Sequence, residues 1–169
     1  MPTIQPYSPE YQEQVLALIR DIQQNEFAVA IALEDQPDLL QIPKFYQIGK
    51  GNFWIALDQG KVIGTIALID IGSSQAVIRK MFVHPDYRGK QIGVGQQLLN
   101  TLLIWAKLQL IVELYLGTTE LFKAAHRFYE KNGFTKITKA ELPSTFPLMP
   151  VDTRFYQYTL SAEQDDAEA

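Results

Sequence analysis

A chain of 169 residues, 47% of them hydrophobic and 20% charged, has the size and composition of one globular domain and is not a long disordered protein. Its net charge of −4 offers no basic surface of the kind that binds nucleic acid, and the absence of cysteine excludes disulfides and thiolate chemistry. Two histidines are too few for an obvious metal cluster. With no leader pattern and no apolar run of membrane-spanning length, we expect a cytoplasmic protein that binds no membrane.

The first half of the chain predicts one strand, two helices and a meander. Residues 3–7 predict a short strand, and Ser8-Pro9 predicts the start of a helix that ends near Asn25. A second helix is predicted at about 36–47, before a glycine-containing turn. Runs rich in β-branched and aromatic residues then predict three antiparallel strands, at 52–57, 61–71 and 75–83.

The second half predicts alternating helices and strands. An apolar stripe with helical spacing predicts a helix at about 94–108. The apolar run 110–116 predicts a strand buried on both faces, and 120–132 predicts a helix that a glycine closes. The last two strands are predicted at 134–138 and 153–160, joined by a proline-rich connection.

This order of elements predicts one α/β domain of the α+β type at residues 1–160. Its centre is expected to be a mixed, mostly antiparallel sheet of about six or seven strands, with about four helices on both faces. The acidic segment 161–169 has no large apolar residue to anchor it, so we expect it to be disordered.

The most informative stretch is 81–95, MFVHPDYRGKQIGVG, which joins a strand to a helix that begins on glycines. Such a junction directs unpaired backbone N–H groups and the positive end of the helix dipole at one place, which suits a phosphate or pyrophosphate. Gly93 and Gly95 would let an anion approach the backbone. The alternative is a helix that needs small residues to pack on the sheet. No P-loop string is present, and no third glycine completes a dinucleotide-binding motif.

The same stretch resembles the signature of the GNAT superfamily of acyl-CoA N-acetyltransferases, a strand followed by V-x-P-x-y-R-G-x-G-I-G and a helix. Residues 83–93, VHPDYRGKQIG, match it with Gln91 in place of the first usual loop glycine. A second block at 125–134, AHRFYEKNGF, is similar to the family's A-x-x-[FL]-Y-E-K-x-G-F element. The resemblance extends over residues 1–160 in element order. It implies the GNAT fold, acetyl-CoA as acyl donor, no metal, and an amine acceptor.

The resemblance also implies how the cofactor is held. In the family the strand before the loop bulges and splays from its neighbour, so that the pantetheine arm bonds its backbone, here at Met81, Phe82 and Val83. The loop amides from Gly89 to Val94 would hold the pyrophosphate, with Gly95 at the helix start. The implied cofactor-binding residues of the loop are Arg88, Gly89, Lys90, Gln91, Ile92, Gly93, Val94 and Gly95. Phe122 stands where relatives often have an asparagine that contacts the cofactor, and Thr118 or Thr119 is a candidate replacement.

By the same resemblance, Tyr129 corresponds to a tyrosine whose hydroxyl lies near the cofactor sulfur. Attack of an amine on the thioester forms an oxyanion, which a strand N–H near Phe82 can stabilise, and then releases a thiolate, which a phenol can protonate. Tyr129 is therefore the candidate general acid. The alternative is a core aromatic packed beside Phe128 and Phe134.

The general base has no equally clear candidate. Glu113 stands alone in an apolar strand, where burial would raise its pKa, and it is one candidate. The alternatives are an ion pair of Glu113 with Arg79 or Lys80, and a chain of waters that deprotonates the amine. His84 is expected to cap the loop and His126 to lie on the surface.

In this fold the acceptor pocket usually forms from two regions, here 26–46 and 146–156. Glu34, Asp35 and Asp38 would suit a cationic amine such as a polyamine or an amino sugar, although a solvated acidic loop also explains them. We expect an N-acetyltransferase that acts on a small-molecule or peptide amine, and leave a homodimer open. The competing functions are an acyl-CoA sensor without turnover and a nucleotide-binding enzyme that uses the glycine loop.

Overall fold

A computed structural model describes residues 2–26, 36–89, 91–120 and 122–160, without the side chains of residues 25 and 26. Seven strands form one sheet: β1 (Thr3–Pro6), β2 (Asn52–Asp58), β3 (Lys61–Gly72), β4 (Gln75–Val83), β5 (Glu113–Thr118), β6 (Thr135–Ile137) and β7 (Arg154–Thr159). They lie in the order β1-β2-β3-β4-β5-β7-β6, and every neighbouring pair is antiparallel except β4 and β5. The predicted fold class is confirmed.

Four α-helices accompany the sheet: α1 (Gln12–Arg20), α2 (Ile42–Phe45), α3 (Val94–Leu108) and α4 (Lys123–Lys131). Short 3-10 turns, Pro9–Tyr11 and Pro37–Leu40, precede α1 and α2, and a π-helical segment, Asp21–Glu26, continues α1. The apolar sides of α3 and α4 cover one face of the sheet, and those of α1 and α2 cover the other. Within the described ranges, no helix combines the length and the hydrophobicity that crossing a membrane requires.

The predicted helix at 36–47 is wrong in its continuity, because the chain forms two short helical pieces there. Gln41 separates them with a non-helical backbone at φ −139° and ψ 48°. Pro43 explains the break, since a proline ring inside a continuous helix would collide with the carbonyl group four residues earlier, at Leu39.

The strand predicted at 110–116 begins only at Glu113. The residues before it close α3 in a Schellman motif, in which Ile111 N–H donates to the Ala106 carbonyl and Leu110 takes a left-handed φ of 61°. Burial on both faces is also wrong for this start of the run, because Leu110 is 76% exposed and Val112 is 47% exposed.

Both faces of the sheet carry apolar cores. The core under α3 and α4, the first core, includes Ile66, Leu98, Leu102, Leu114, Leu116 and Tyr129. On the opposite face a second core includes Val15, Ile19, Tyr46 and Phe53, and a third, beside the β6–β7 connection, is formed by Val77, Tyr115, Phe146 and Phe155. Because successive strand residues point to opposite faces, β5 contributes Leu114 and Leu116 to the first core and Tyr115 to the third.

The feature that positions the site is the separation of β4 from β5. Their registered pairs end at Val77 and Tyr115, after three residues of each strand. Beyond this point β4 bulges, because Phe82 pairs with Thr65 of β3 whereas Arg79 pairs with Ala67, which leaves one extra residue on β4. Within the bulge Lys80 has a φ of 55°. The bulge and splay implied by the family resemblance are therefore present.

Candidate active site

A cavity occupies the gap between the separated ends of β4 and β5. Its walls come from β4 at the bulge, from the end of β5, from α4 and from the β6–β7 connection. Residues that line it include Met81 and Phe82 of β4, Thr118 of β5, Tyr129 of α4, and Asp152. The cavity thus joins both regions that the sequence assigned to the chemistry, the strand before the glycine loop and the second motif block.

The edge of β4 that faces this cavity is free to bind an extended chain. Val83 and Phe82 pair with Gly64 and Thr65 of β3 on one side, whereas no residue of β5 pairs with them on the other. A strand with one open edge offers backbone N–H and C=O groups to an added strand or to an amide-containing ligand.

The glycine loop runs from this edge to the start of α3. Gly93 is the N-cap of α3 and has a φ of 69°, and its N–H donates to the Gly89 carbonyl at 3.0 Å. Arg88 Nε donates to the Val83 carbonyl at 2.8 Å, which fastens the loop to the end of β4. Because a left-handed φ favours glycine, the conformation of the loop itself requires a glycine at position 93. Lys90 lies outside the described residues.

His84 confirms its predicted role as a cap of the loop. Its Nδ1 accepts a hydrogen bond from the Asp86 N–H at 3.1 Å, at the start of the 3-10 turn Pro85–Tyr87. The prediction for His126 is wrong: this residue is 6% exposed, and its Nε2 lies 2.8 Å from the Thr119 carbonyl oxygen. Its helix packs that side inward, with the imidazole ring near the ring of Tyr156.

Tyr129 lies in the wall of the cavity and is 4% exposed. Its ring packs against Phe128, Phe134 and Tyr156, at centroid distances of 5.5, 5.4 and 6.2 Å. Burial raises the pKa of the Tyr129 phenol above its usual value, so the hydroxyl keeps its proton at neutral pH. Tyr129 is therefore both packed in the core and part of the cavity wall.

A buried polar cluster stands behind the bulge. Lys80 Nζ lies 2.6 Å from Gln36 Oε1 and 3.6 Å from Asp38 Oδ2, and Tyr46 donates to the same Asp38 oxygen at 2.5 Å. Gln23 and Gln36 exchange side-chain amide hydrogen bonds of 3.3 and 2.9 Å. Burial lowers the pKa of Lys80 to about 8, against the opposing attraction of Asp38.

The buried cluster includes one member of the predicted acidic trio, Asp38. Glu34 and Asp35 lie outside the described residues. Asp38 is 5% exposed and hydrogen-bonded inside the protein, so the explanation as a solvated acidic loop is wrong for it. Its charge is matched by Lys80 and is not presented to an acceptor.

Glu113 lies at the opposite end of β5 from the cavity and is not among the residues that line it. Its carboxylate accepts hydrogen bonds from Gln75 at 3.2 Å, Tyr115 at 2.9 Å and Gln157 at 3.5 Å. The ion pair with Arg79 or Lys80 is not formed, since Lys80 pairs with Asp38 instead. This position gives no support to Glu113 as the base.

Asp152 and Arg79 are among the cavity residues that were not selected as catalytic or binding residues from the sequence. Asp152 lies beside Gly117 of β5, and Arg79 lines the cavity next to the bulge. A signal for Asp152 exists, because an isolated glycine in a buried strand marks a close approach by another group. No comparable signal marks Arg79, whose neighbours come from distant parts of the chain. The candidate replacements Thr118 and Thr119 both line the cavity, as does Phe122.

Comparisons with known proteins agree with the fold and with the motifs found in the sequence. The sequence profile of the acetyltransferase (GNAT) domain matches residues 49–136. An acetyltransferase structure of the GNAT family from Staphylococcus aureus MU50 is 38% identical, with 95% of this chain and 100% of that chain covered and a TM-score of 0.92. The paia N-acetyltransferase of Thermoplasma acidophilum, solved with coenzyme A, is 18% identical over 95% of this chain and 99% of that one, with a TM-score of 0.72, and shares the fold.

Among curated proteins, N-acetylaspartate synthetase of Danio rerio is 33% identical over 129 residues, which is 73% of this chain and 45% of that protein. The chain thus spans less than half the length of this relative. Fold, cavity and profile together define an acetyltransferase-type domain. The chain belongs to the GNAT acetyltransferase family.

Proposed function

We propose that the protein transfers the acetyl group of acetyl-CoA to a primary amine by direct attack of the amine on the thioester. The observation that carries this proposal is the cavity at the separation of β4 and β5, which has an open strand edge on one side and Tyr129 in its wall. The sensor and the nucleotide-binding enzyme remain the alternatives against which it is tested.

The residues present fit acetyl-CoA in two respects. The open edge of β4 at Met81, Phe82 and Val83 can pair with the amide groups of a pantetheine arm, in the way that an added strand pairs. The N-terminus of α3 behind Gly93 can hold phosphates with its unpaired N–H groups. The T. acidophilum relative that was solved with coenzyme A has the same fold, which supports this assignment.

Tyr129 is the proposed general acid. When the tetrahedral intermediate collapses, the C–S bond breaks and the thiolate of CoA takes the phenolic proton. The raised pKa of Tyr129 keeps the phenol protonated at neutral pH, so its proton is available to the thiolate as the C–S bond breaks. Its position in the cavity wall supports this role.

For the acceptor we propose an amine that also carries a carboxylate, in place of the cationic amine expected from the acidic trio. Arg79 lines the cavity, and its guanidinium contacts two uncharged groups, with Met149 Sδ at 3.4 Å and the Phe45 ring at 5.9 Å from the guanidinium carbon. Within the described ranges, no carboxylate lies at ion-pair distance from it. The name of the relative N-acetylaspartate synthetase also points to an amino-acid acceptor.

The test is a turnover screen with acetyl-CoA against the common amino acids, putrescine and glucosamine, with free CoA as the readout. We expect CoA release with amino acids and little with the two cationic amines. Calorimetry with CoA, NAD and ATP runs in parallel. Binding of CoA without turnover on any amine would favour the sensor, and binding of NAD or ATP without CoA would favour the nucleotide-binding enzyme.

A further inference from the structure

Asp152 occupies space that only a glycine in β5 leaves open. A Cβ built on Gly117 would lie 2.6 Å from Asp152 Oδ2 and 2.8 Å from its carboxyl carbon, distances that real Cβ atoms do not reach. Gly117 has no left-handed φ, so the reason for glycine at this position is the approach of the carboxylate. Gly117 and Asp152 are therefore in close contact in the cavity wall.

Backbone hydrogen bonds hold the segment that carries Asp152 in place. Asp152 N–H donates to the Met149 carbonyl at 3.0 Å, which closes a turn, and the next residue, Thr153, donates its N–H to the Thr118 carbonyl of β5 at 2.8 Å. These bonds fix this part of the β6–β7 connection against β5, which is the kind of positioning that a catalytic group needs.

Asp152 and Tyr129 approach the cavity from opposite faces of the sheet. Tyr129 belongs to the first core, on the face of α3 and α4. Gly117 follows Leu116 of the first core and Tyr115 of the third, so the alternation of β5 places the Gly117 side, and with it Asp152, on the other face. An acceptor entering from that face would meet Asp152, while a thioester held beside the α3 loop would meet Tyr129.

We infer that Asp152 is the general base of the acetyl transfer, an inference that rests on the proposed function. The acceptor enters as an ammonium ion and gives one proton to the Asp152 carboxylate. The neutral nitrogen then attacks the thioester carbon, the C–N bond forms and the C–S bond breaks. Tyr129 protonates the thiolate and regains a proton from the former amine through solvent, and Asp152 releases its own proton to solvent, so one proton is freed for each turnover.

The charges around Asp152 fit this role. Burial raises its pKa above the usual value, which makes the carboxylate a stronger base, while Arg79 and Lys80 of β4 oppose the shift and favour ionisation. Lys80 also lines the cavity, but it is not an equivalent base, because its amine is engaged with Gln36 and Asp38. Glu113 lines no part of the cavity.

The experiment compares Asp152→Asn with Glu13→Gln, which removes one exposed carboxylate from α1 and changes the net charge equally. The acceptor is the amine with the highest turnover in the screen. We expect Asp152→Asn to lower kcat by roughly 10²–10⁴-fold, the usual contribution of general acid–base catalysis, and Glu13→Gln to leave it unchanged. The Kd for CoA should be the same in all three proteins.

The pH profile distinguishes a base from a merely structural carboxylate. With Asp152 present, the rate should be flat between the pKa of Asp152 and that of the acceptor amine. In Asp152→Asn it should instead rise about tenfold per pH unit, because only the free amine then reacts. In Asp152→Ala, added formate should restore part of the rate.

Three results would overturn the inference. An Asp152→Asn variant with near-native kcat and a flat profile would exclude Asp152 as base. A comparable loss in Glu113→Gln with an intact Asp152→Asn variant would transfer the role to Glu113. If the unchanged protein acetylates no amine, the proposed function fails and this inference fails with it, whereas the first two results leave the proposed function standing.

Discussion

Lys80 and Asp38 form a buried ion pair, with 3.6 Å between Nζ and Oδ2 and only 7% and 6% of their side chains exposed. The pair joins the bulge of β4 to the 3-10 turn Pro37–Leu40, two pieces of chain more than forty residues apart in sequence. Because Tyr46 and Gln36 complete its hydrogen bonds, the pair fixes the β4 bulge against the 3-10 turn.

The depressed pKa of Lys80 predicts a specific pH dependence of stability. Lys80 is protonated up to about pH 8 when folded, whereas an unfolded lysine keeps its proton to 10.5. Between these values the unfolded chain binds more protons, so the free energy of unfolding should rise with pH. The full shift corresponds to roughly 3 kcal/mol. Urea denaturation of the unchanged protein and of Lys80→Met at pH 8 and 10 should show this rise only in the former, and parallel curves would contradict it.

Substitution of the other partner of the pair, Asp38, should destabilise the protein more than Lys80→Met does. Asp38→Asn leaves the Lys80 ammonium buried without a counter-charge, and loss of one partner of a buried pair costs about 3–5 kcal/mol. The double variant Asp38→Asn with Lys80→Met removes both charges and should recover much of this loss. Urea midpoints for the two single variants and the double variant measure the coupling. Equal stability of Asp38→Asn and the unchanged protein would show that the pair contributes nothing.

Local patterns predicted the parts of this structure that depend on neighbouring residues. The helix Val94–Leu108 and the meander of β2, β3 and β4 follow from apolar spacing and turn residues, and the structure has them within one residue of the prediction. The glycine loop was found in the same way, because its glycines and the start of the following helix lie in one contiguous stretch.

The family resemblance predicted regions 26–46 and 146–156 for the acceptor pocket, and Gln36, Phe146 and Asp152 of these regions line the cavity. Local patterns could not predict which side chains meet there, because that side of the cavity is assembled from distant segments. Lys80 receives its partners from residues 36 and 38, and Asp152 is placed by a contact with Gly117 of another strand. Glu113 was selected for standing alone in an apolar run, yet polar partners from β4 and β7 surround it. Whether a charged side chain presents its charge to the pocket depends on its partners, and composition does not reveal those partners.

Gly95→Ala tests whether the start of α3 is in contact with the cofactor. A Cβ at this position would lie 3.4 Å from Met81 Cε, an ordinary contact, so the folded protein accommodates alanine. We expect an unchanged melting temperature and a weaker affinity for CoA in calorimetry, by about tenfold, because the added methyl group crowds the helix N-terminus that is the proposed phosphate site. Gly93→Ala is the contrasting variant: its left-handed φ of 69° should lower stability by about 1 kcal/mol. Unaltered CoA binding in Gly95→Ala would show that this glycine serves only the packing of the helix on the sheet.

Arg79→Leu tests the proposed carboxylate group of the acceptor. If the guanidinium binds that carboxylate, its loss should raise KM for an amino acid by roughly 10–100-fold, as expected for a charged hydrogen bond of about 1.5–3 kcal/mol. The amide of the same amino acid is the matched control substrate, and its KM should change little. An equal rise for acid and amide would mean that Arg79 shapes the pocket through its contacts with Met149 and Phe45.

Tyr129→Phe separates the phenolic proton from the packing of the ring. The ring contacts with Phe128, Phe134 and Tyr156 survive the substitution, so thermal stability should be nearly unchanged. Loss of the only proton that the side chain can give to the departing thiolate should lower kcat by about 10²–10⁴-fold. KM for acetyl-CoA should stay the same, because the proposed contacts to the cofactor lie on β4 and the α3 loop. Phe134→Leu, which disturbs the ring packing but keeps the hydroxyl, is the control: it should lower the melting temperature more than kcat. Near-native kcat in Tyr129→Phe would make Tyr129 a core aromatic only, and the thiolate would then take its proton from solvent.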